Sequence, residues 1–240
     1  MHIVRKHFDT LDSTNTWAKQ NGEILDPLAL TVVTAWEQTG GRGRFSRKWH
    51  SPPGLNIYAT YAFFLNRLRE DLGNIPQLLA LSAAQILNEY PLNLKWPNDL
   101  QIGDKKLGGI LCETTWVEKK LLVAVGIGLN LNMPLELLQE IDRPATSLMV
   151  ESGQEQDVEE WLERLNRAFQ SNLETFLEKG FKPFFEEYKA GLVHRVGDKV
   201  RFHDNQKVWE GEYVGLTEDA ALRLRVDGQE KVFIAGEFVL

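Results

Sequence analysis

At Gly191 the chain changes character, and that change limits the fold more than any other feature. Residues 192–240 offer short β-rich pieces at 196–203, 208–214, 221–226 and 231–234. Turn pairs such as Gly197-Asp198, Asp204-Asn205 and Asp227-Gly228 separate them. The 190 residues before this tail mix two periodicities. Leu30-Thr31-Val32-Val33-Thr34-Ala35 is β-branched and predicts a buried strand, and 56–64 predicts a second. Residues 92–96 predict a strand stopped by Pro97, and 106–113 and 121–130 a strand pair joined around Glu118-Lys119-Lys120. A helix is expected over 13–21, with Ser13 or Thr14 as its cap, and another over 76–90 with Pro76 in its first turn. The clearest amphipathic helix spans 157–178, where Val158, Trp161, Leu162, Leu165, Phe169, Leu173, Phe176 and Leu177 share a core-facing stripe. The expected architecture is an α+β domain over residues 1–190, followed by a small all-β barrel over 191–240.

A chain of 240 residues can bury a core without disulfide or metal staples. With 27 Lys and Arg against 34 Asp and Glu, the net charge is −7, which argues against a life on nucleic-acid phosphates. It also makes any local basic cluster informative. The lone cysteine, Cys112, lies in an apolar run that predicts a buried strand thiol rather than a nucleophile, and no internal disulfide is possible. The start, Met1-His2-Ile3-Val4-Arg5-Lys6-His7, lacks the apolar stretch of a signal peptide. No window approaches 18 apolar residues, so no membrane span and a cytoplasmic location are expected.

Four segments carry chemistry. In Gln38-Thr39-Gly40-Gly41-Arg42-Gly43-Arg44-Phe45-Ser46-Arg47-Lys48-Trp49, glycines allow close backbone approach while arginines offer planar donor forks for phosphate or carboxylate. It lacks the Gly-Lys-Ser/Thr ending of a P-loop. An exposed Arg/Gly nucleic-acid tether is the alternative, and Trp49 with the flanking strands favours an ordered anion nest. Lys95-Trp96-Pro97-Asn98-Asp99-Leu100, followed by Lys105-Lys106-Leu107-Gly108-Gly109-Ile110-Leu111, places an acid on a turn and brings Lys106 back beside a Gly pair. Read alone, this is as well explained by turn chemistry and a solvated lysine. Asp12-Ser13-Thr14-Asn15 is either an N-cap or a set of ligand contacts. Gly126-Ile127-Gly128-Leu129-Asn130-Leu131-Asn132 is an apolar strand whose glycines suggest backbone approach to a base or ribose.

The succession of Ser-Thr-Asn, Gly-Arg-Gly-Arg-x-x-Arg-x-Trp, Lys-Trp-Pro-Asn-Asp, Lys-Leu-Gly-Gly-Ile-Leu and Gly-x-Gly-x-Asn resembles the biotin–protein ligase family, closely from residue 8 to about 150. The resemblance implies a mixed β-sheet catalytic domain flanked by helices, of the class II aminoacyl-tRNA synthetase/biotin ligase kind, and an SH3-like C-terminal domain. It implies an ATP-dependent biotin–[acetyl-CoA-carboxylase] ligase that makes biotinoyl-AMP and transfers biotin to a lysine of a biotin carboxyl carrier domain. Biotin, ATP and Mg²⁺ are its implied ligands. By carry-over, Ser13, Thr14, Asn15 and Gln38 line the biotin pocket. Gly41, Arg42, Gly43 and Arg44 contact the carboxylate and adenylate, and Arg47 and Trp49 close the loop. Lys106, beside Gly109, meets the activated carboxyl, and Asn130 lies near the nucleotide. Arg44, Lys106, Asp99 and Lys95 form the expected catalytic set, with the separate roles of Lys95 and Asp99 open. Metal is expected to arrive with ATP, Asp99 being the one protein carboxylate positioned to help.

Relatives with a winged helix act as repressors. Here only 12 residues precede Ser13, so no operator binding is expected. The 40–49 loop is expected to be mobile without ligand, and the resemblance leaves a homodimer open. Competing readings are a lipoate or octanoate ligase, a non-catalytic biotin sensor, and an RNA-binding protein.

Overall fold

The structure, a computed structural model, describes residues 1–239, with Ser46 described by its backbone alone. Its elements run β1 (His2–Leu11), α1 (Thr14–Gln20), β2 (Ala29–Gln38), β3 (Ile57–Leu65), α2 (Ile75–Ile86), β4 (Leu92–Lys95), β5 (Asp99–Ile102), β6 (Lys105–Val117) and β7 (Lys120–Leu129). Then come α3 (Leu135–Gln139), α4 (Leu148–Ser152), α5 (Val158–Lys179) and α6 (Phe185–Ala190). The tail contributes β8 (Lys199–His203), β9 (Val208–Leu216), β10 (Leu222–Val226), β11 (Gln229–Phe233) and β12 (Glu237–Val239).

The first seven strands form one sheet in the order β1-β2-β3-β7-β6-β5-β4. Only β1 and β2 run parallel, so the sheet is mixed and flanked by helices, as expected. Side chains alternate across it with period 2. On β7, Leu121, Val123, Val125, Ile127 and Leu129 enter the main core, while Leu122 and Ala124 face a second cluster with Ala18 of α1. Along that second face the residues shrink from Leu122 and Ala124 to Gly126 and Gly128. The sheet thus loses its cover toward one end, and that is where the cavity opens.

Helix α5 begins at Asp157, whose carboxylate accepts the Glu160 N–H at 3.0 Å. Trp161, Leu165, Phe169, Leu173 and Phe176 are its buried stripe. Each such side chain taken from water contributes roughly 1.5–3 kcal/mol. Tyr61 of β3 meets Phe169 at 4.7 Å between centroids and donates its hydroxyl to buried Asn166 at 2.9 Å. Helix α2 ends at Ile86 rather than residue 90. Strand β1, the parallel pairing and the short β12 are additions that the residue patterns did not announce.

The tail forms a five-stranded antiparallel sheet ordered β11-β10-β9-β8-β12. Among the described residues no ladder joins β11 to β12, so the expected barrel is an open, curled sheet. Its two edges still meet in one core. Phe202 of β8 contacts Phe233 of β11 at 4.9 Å and Phe238 of β12 at 5.6 Å. The same ring lies 5.8 Å from Trp96, whose indole N–H donates to the Ala220 carbonyl at 3.0 Å. Asn74 and Gln77 of the α2 region donate to the carbonyls of Asp219 and Ala220. Cys112, partly buried on β6, has its thiol pushed up to about 12 by burial, which leaves it unreactive at neutral pH. No helix among the described residues is long and apolar enough to cross a membrane.

Candidate active site

The five motifs line a single cavity of about 350 Å³ over the glycine end of β7. Ser13, Thr14, Asn15, Gln38, Arg42, Gly43, Arg44, Arg47, Trp49, Lys95, Asp99, Lys106, Gly109 and Asn130 all border it. Gly41 does not. It sits behind Gln38, where a Cβ would fall 2.7 Å from both the Ser51 hydroxyl and the Trp49 carbonyl.

The floor is polar and internally paired. Ser13 occupies the N-cap of α1 but makes no capping bond. Instead the Gln38 side-chain carbonyl, from the end of β2, accepts the Thr14 N–H at 2.9 Å and the Thr14 hydroxyl at 3.2 Å. The expected Ser13 or Thr14 cap is thus replaced by a neighbouring strand, because Gln38 reaches the first helical N–H from outside. Ser13 is buried and lies on the cavity wall. The Gln38 amide N–H donates to Ser51 at 3.0 Å, which fixes its orientation. Thr60 of β3 sits 2.8 Å from the Thr14 hydroxyl and 2.6 Å from Asn15 Oδ1.

Cations form the roof and rim. Seven Lys and Arg side chains (Arg42, Arg44, Arg47, Lys48, Lys95, Lys106 and Arg143) face four acids (Asp99, Asp104, Asp142 and Glu237), a local excess of positive charge in an acidic protein. Lys106 donates to Asp99 Oδ1 at 2.6 Å, and both side chains are about four-fifths buried, at 16% and 21% exposure. Its backbone is clamped on both sides, its N–H on the Pro144 carbonyl and its carbonyl on the Thr146 N–H, each at 2.9 Å. The ammonium also lies 5.6 Å from the Trp49 ring centroid. Asp99 stands opposite Lys95 across the β4–β5 turn. Burial pulls the Lys95 ammonium below the ordinary lysine range, the Asp99 charge opposes this, and the Lys106 charge adds to it. Asn98 pins that turn to β6 through two bonds with Ile110, at 2.5 and 3.0 Å.

The Arg loop reaches into the tail sheet. Arg44 donates to the Gly236 carbonyl at 2.9 Å and to Asn98 at 3.4 Å, and burial lowers its pKa. Arg47 donates to both carboxylate oxygens of Glu237 through its two terminal guanidinium nitrogens. That bond raises Arg47 above the ordinary arginine range, and the same bond, opposed by burial, holds Glu237 below the usual carboxylate range. The loop is further tied by an Arg42–Lys48 backbone bridge. Both β7 glycines border the cavity, and side chains lie close to their bare backbone. A Cβ on Gly128 would fall 2.3 Å from the Trp49 indole, and one on Gly126 would fall 2.3 Å from Asn15 Oδ1. Asn130 donates to the Thr146 carbonyl at 3.0 Å and so anchors the 144–148 segment as well as bordering the cavity.

Several lining residues escaped motif reading: Asn98, Arg143, Glu237 and Phe238. Asn98 lay inside a motif but looked like turn chemistry. The other three arrive from segments with no local signature.

A polar floor under a cation-rimmed cavity, carried on a mixed sheet, has the chemistry suited to a small polar ligand with anionic groups. The chain belongs to the biotin/lipoate A/B protein ligase family, whose model matches residues 7–130. It is 32% identical to a biotin–[acetyl-CoA-carboxylase] ligase of Paracoccus denitrificans over 94% of this chain and 96% of that protein. It is 30% identical to the bifunctional ligase/repressor BirA of Bacillus subtilis over 98% of this chain and 73% of the relative. Among solved structures, the Aquifex aeolicus biotin protein ligase in complex with biotin and ATP matches with a TM-score of 0.78 at 32% identity, covering 99% and 97% of the two chains.

Proposed function

We propose that this chain is a biotin–protein ligase acting on a biotin carboxyl carrier domain of acetyl-CoA carboxylase, with residues 1–190 as catalytic domain and 191–240 as the small C-terminal domain. The observation that carries the reading is the gathering of five motifs, spread over residues 13–130, around one cavity whose floor is hydrogen-bonding and whose rim is cationic. A single cysteine and no disulfide fit a reducing compartment, the cytoplasm.

A carboxylate resists attack by an amine, so it must first be activated. In the proposed first half-reaction a biotin carboxylate oxygen bonds to the α-phosphorus of ATP, the bond to the bridging oxygen breaks, and pyrophosphate leaves. Negative charge grows on the departing oxygens, where fixed cations such as Arg42, Arg44, Arg47 and Lys106 act most strongly. Ser13, Thr14, Asn15 and Gln38 hold the biotin head. Gly43, Gly109, Trp49 and Asn130 shape the nucleotide side. In the second half-reaction the acceptor lysine attacks the acyl carbon and AMP departs. Asp99 or the adenylate phosphate orients the amine, and Lys95 lies opposite Asp99 on the same turn. Mg²⁺ would add positive charge on the phosphates. Asp99, which borders the cavity, is the carboxylate proposed to help hold it alongside the ATP phosphates.

Incubation with biotin, MgATP and a carrier domain is expected to add one biotinoyl mass to that domain, read by mass spectrometry, and nothing to a carrier whose acceptor lysine is changed to arginine. Modification of both carriers would contradict specific transfer. The matched family model also spans lipoate ligases, so lipoate is the second reading, and the same assay with lipoate tests it.

A further inference from the structure

The cavity floor rests on a carboxylate that does not itself border the cavity. Glu113 of β6 accepts one Asn15 amide N–H on Oε2 at 3.0 Å and the Lys19 ammonium on Oε1 at 2.5 Å, with Arg42 3.8 Å from Oε2. The other Asn15 N–H goes to the Leu111 carbonyl at 3.1 Å. Both groups facing the Asn15 NH₂ are therefore acceptors only: a backbone carbonyl and an ionised carboxylate. An amide can bond two such groups in one orientation only, so its carbonyl must point the other way. There Oδ1 receives the Thr60 hydroxyl at 2.6 Å and lies over the bare backbone of Gly126. Burial opposes the charge on Glu113, but the Lys19 and Asn15 hydrogen bonds and the charges of Lys19 and Arg42 together keep its pKa below the usual carboxylate range.

We infer that Glu113 is a positioning residue that locks the polarity of Asn15: both its N–H groups are committed, so the only hydrogen-bonding capacity Asn15 retains for a ligand is the second lone pair of its carbonyl. Such a floor suits a ring that carries N–H donors, as a cyclic urea does, and gives nothing to a dithiolane or a bare alkyl chain. The inference rests on the biotin-ligase reading and deepens it by naming what selects the ligand head. Gly126 takes part, because any side chain there would occupy the position of the Asn15 carbonyl. Arg42 also takes part: it donates to the Thr16 hydroxyl at 2.9 Å while facing Glu113, which joins the start of the Arg loop to the same anchor.

The test is a double-mutant cycle on biotin affinity, measured calorimetrically on the full chain without ATP. Glu113→Ala and Asn15→Ala are each expected to raise the biotin Kd on the order of tenfold or more, the loss usual for a hydrogen bond to a charged or buried polar partner. The double variant should be no weaker than the weaker single, because Glu113 acts through Asn15. The KM for ATP should move less than threefold in Glu113→Ala, whereas general damage would raise both constants. If Glu113→Ala fails to fold, the near-isosteric Glu113→Gln, which brings an NH₂ to the lock, replaces it in the cycle with the same expectation. Wild-type affinity in the Glu113 variant, or losses that multiply in the double variant, would overturn the lock while leaving the ligase reading intact. A wild-type chain that binds lipoate and not biotin would overturn both.

Discussion

Lys106→Ala is expected to slow biotin-dependent ATP–pyrophosphate exchange by about 10²–10³-fold, the loss that follows removal of one preorganised donor from a partly desolvated site. The size follows from how Lys106 is held. Its backbone is fixed on both sides by Pro144 and Thr146, and its ammonium lies 2.6 Å from Asp99 in a four-fifths buried setting. A charge already in place needs no reorganisation when negative charge develops on the substrate. The truncation also strands Asp99 without its partner, which adds an anion where the reaction wants a cation. Lys106→Arg should recover little, because a planar guanidinium cannot fill the point-charge position beside Gly109, where a Cβ would come within 3.0 Å of the Lys106 side chain. Exchange kinetics with thermal unfolding as a control make the measurement. A variant whose kcat/KM stays within threefold of the parent would remove Lys106 from the reaction.

The second large effect is structural. Phe202→Ala is expected to lower stability by about 3–5 kcal/mol, the usual loss for a buried aromatic truncated in a packed core. For a chain of this size the melting temperature should fall on the order of 10 °C. Phe202 is fully buried and its ring touches Trp96, Phe233 and Phe238, so it joins both edges of the tail sheet to the Lys95–Asp99 turn. Phe238 pairs with Phe202 in register between β12 and β8, and Glu237 beside it holds Arg47. Loss of the ring therefore loosens β12 and, with it, one wall of the cavity. Exchange measured well below the new melting temperature should fall as well. A melting temperature within 2 °C of the parent would contradict this account of the junction.

Much of this was legible in the residues. The stripe from Trp161 to Phe176 gave α5 to within a residue at each end, because an amphipathic helix of 22 residues leaves a long periodic signal. Strand β1 gave none. His2, Arg5, Lys6 and Asp9 interrupt any alternation, and the strand is held by parallel pairing with β2, which no local pattern encodes. The tail was read as β structure, but its open order and the short β12 depend on contacts around Phe202. For the site, each motif marks residues near one another in sequence, so Ser13, the Arg loop and Lys106 were found. The contacts that orient them were not: Gln38 was named, but not as the group that caps α1 across 24 residues, and Glu237 meets Arg47 across 190. Glu113 was invisible for a related reason: it supports Asn15 from behind, outside the cavity and outside every motif.

The most direct test of the central claim is ATP–pyrophosphate isotope exchange by the purified chain with Mg²⁺, with biotin, lipoate and octanoate supplied in parallel. The account predicts exchange that depends on biotin and is absent with the other two acids. Exchange driven by lipoate or octanoate, or none with any acid, would contradict it.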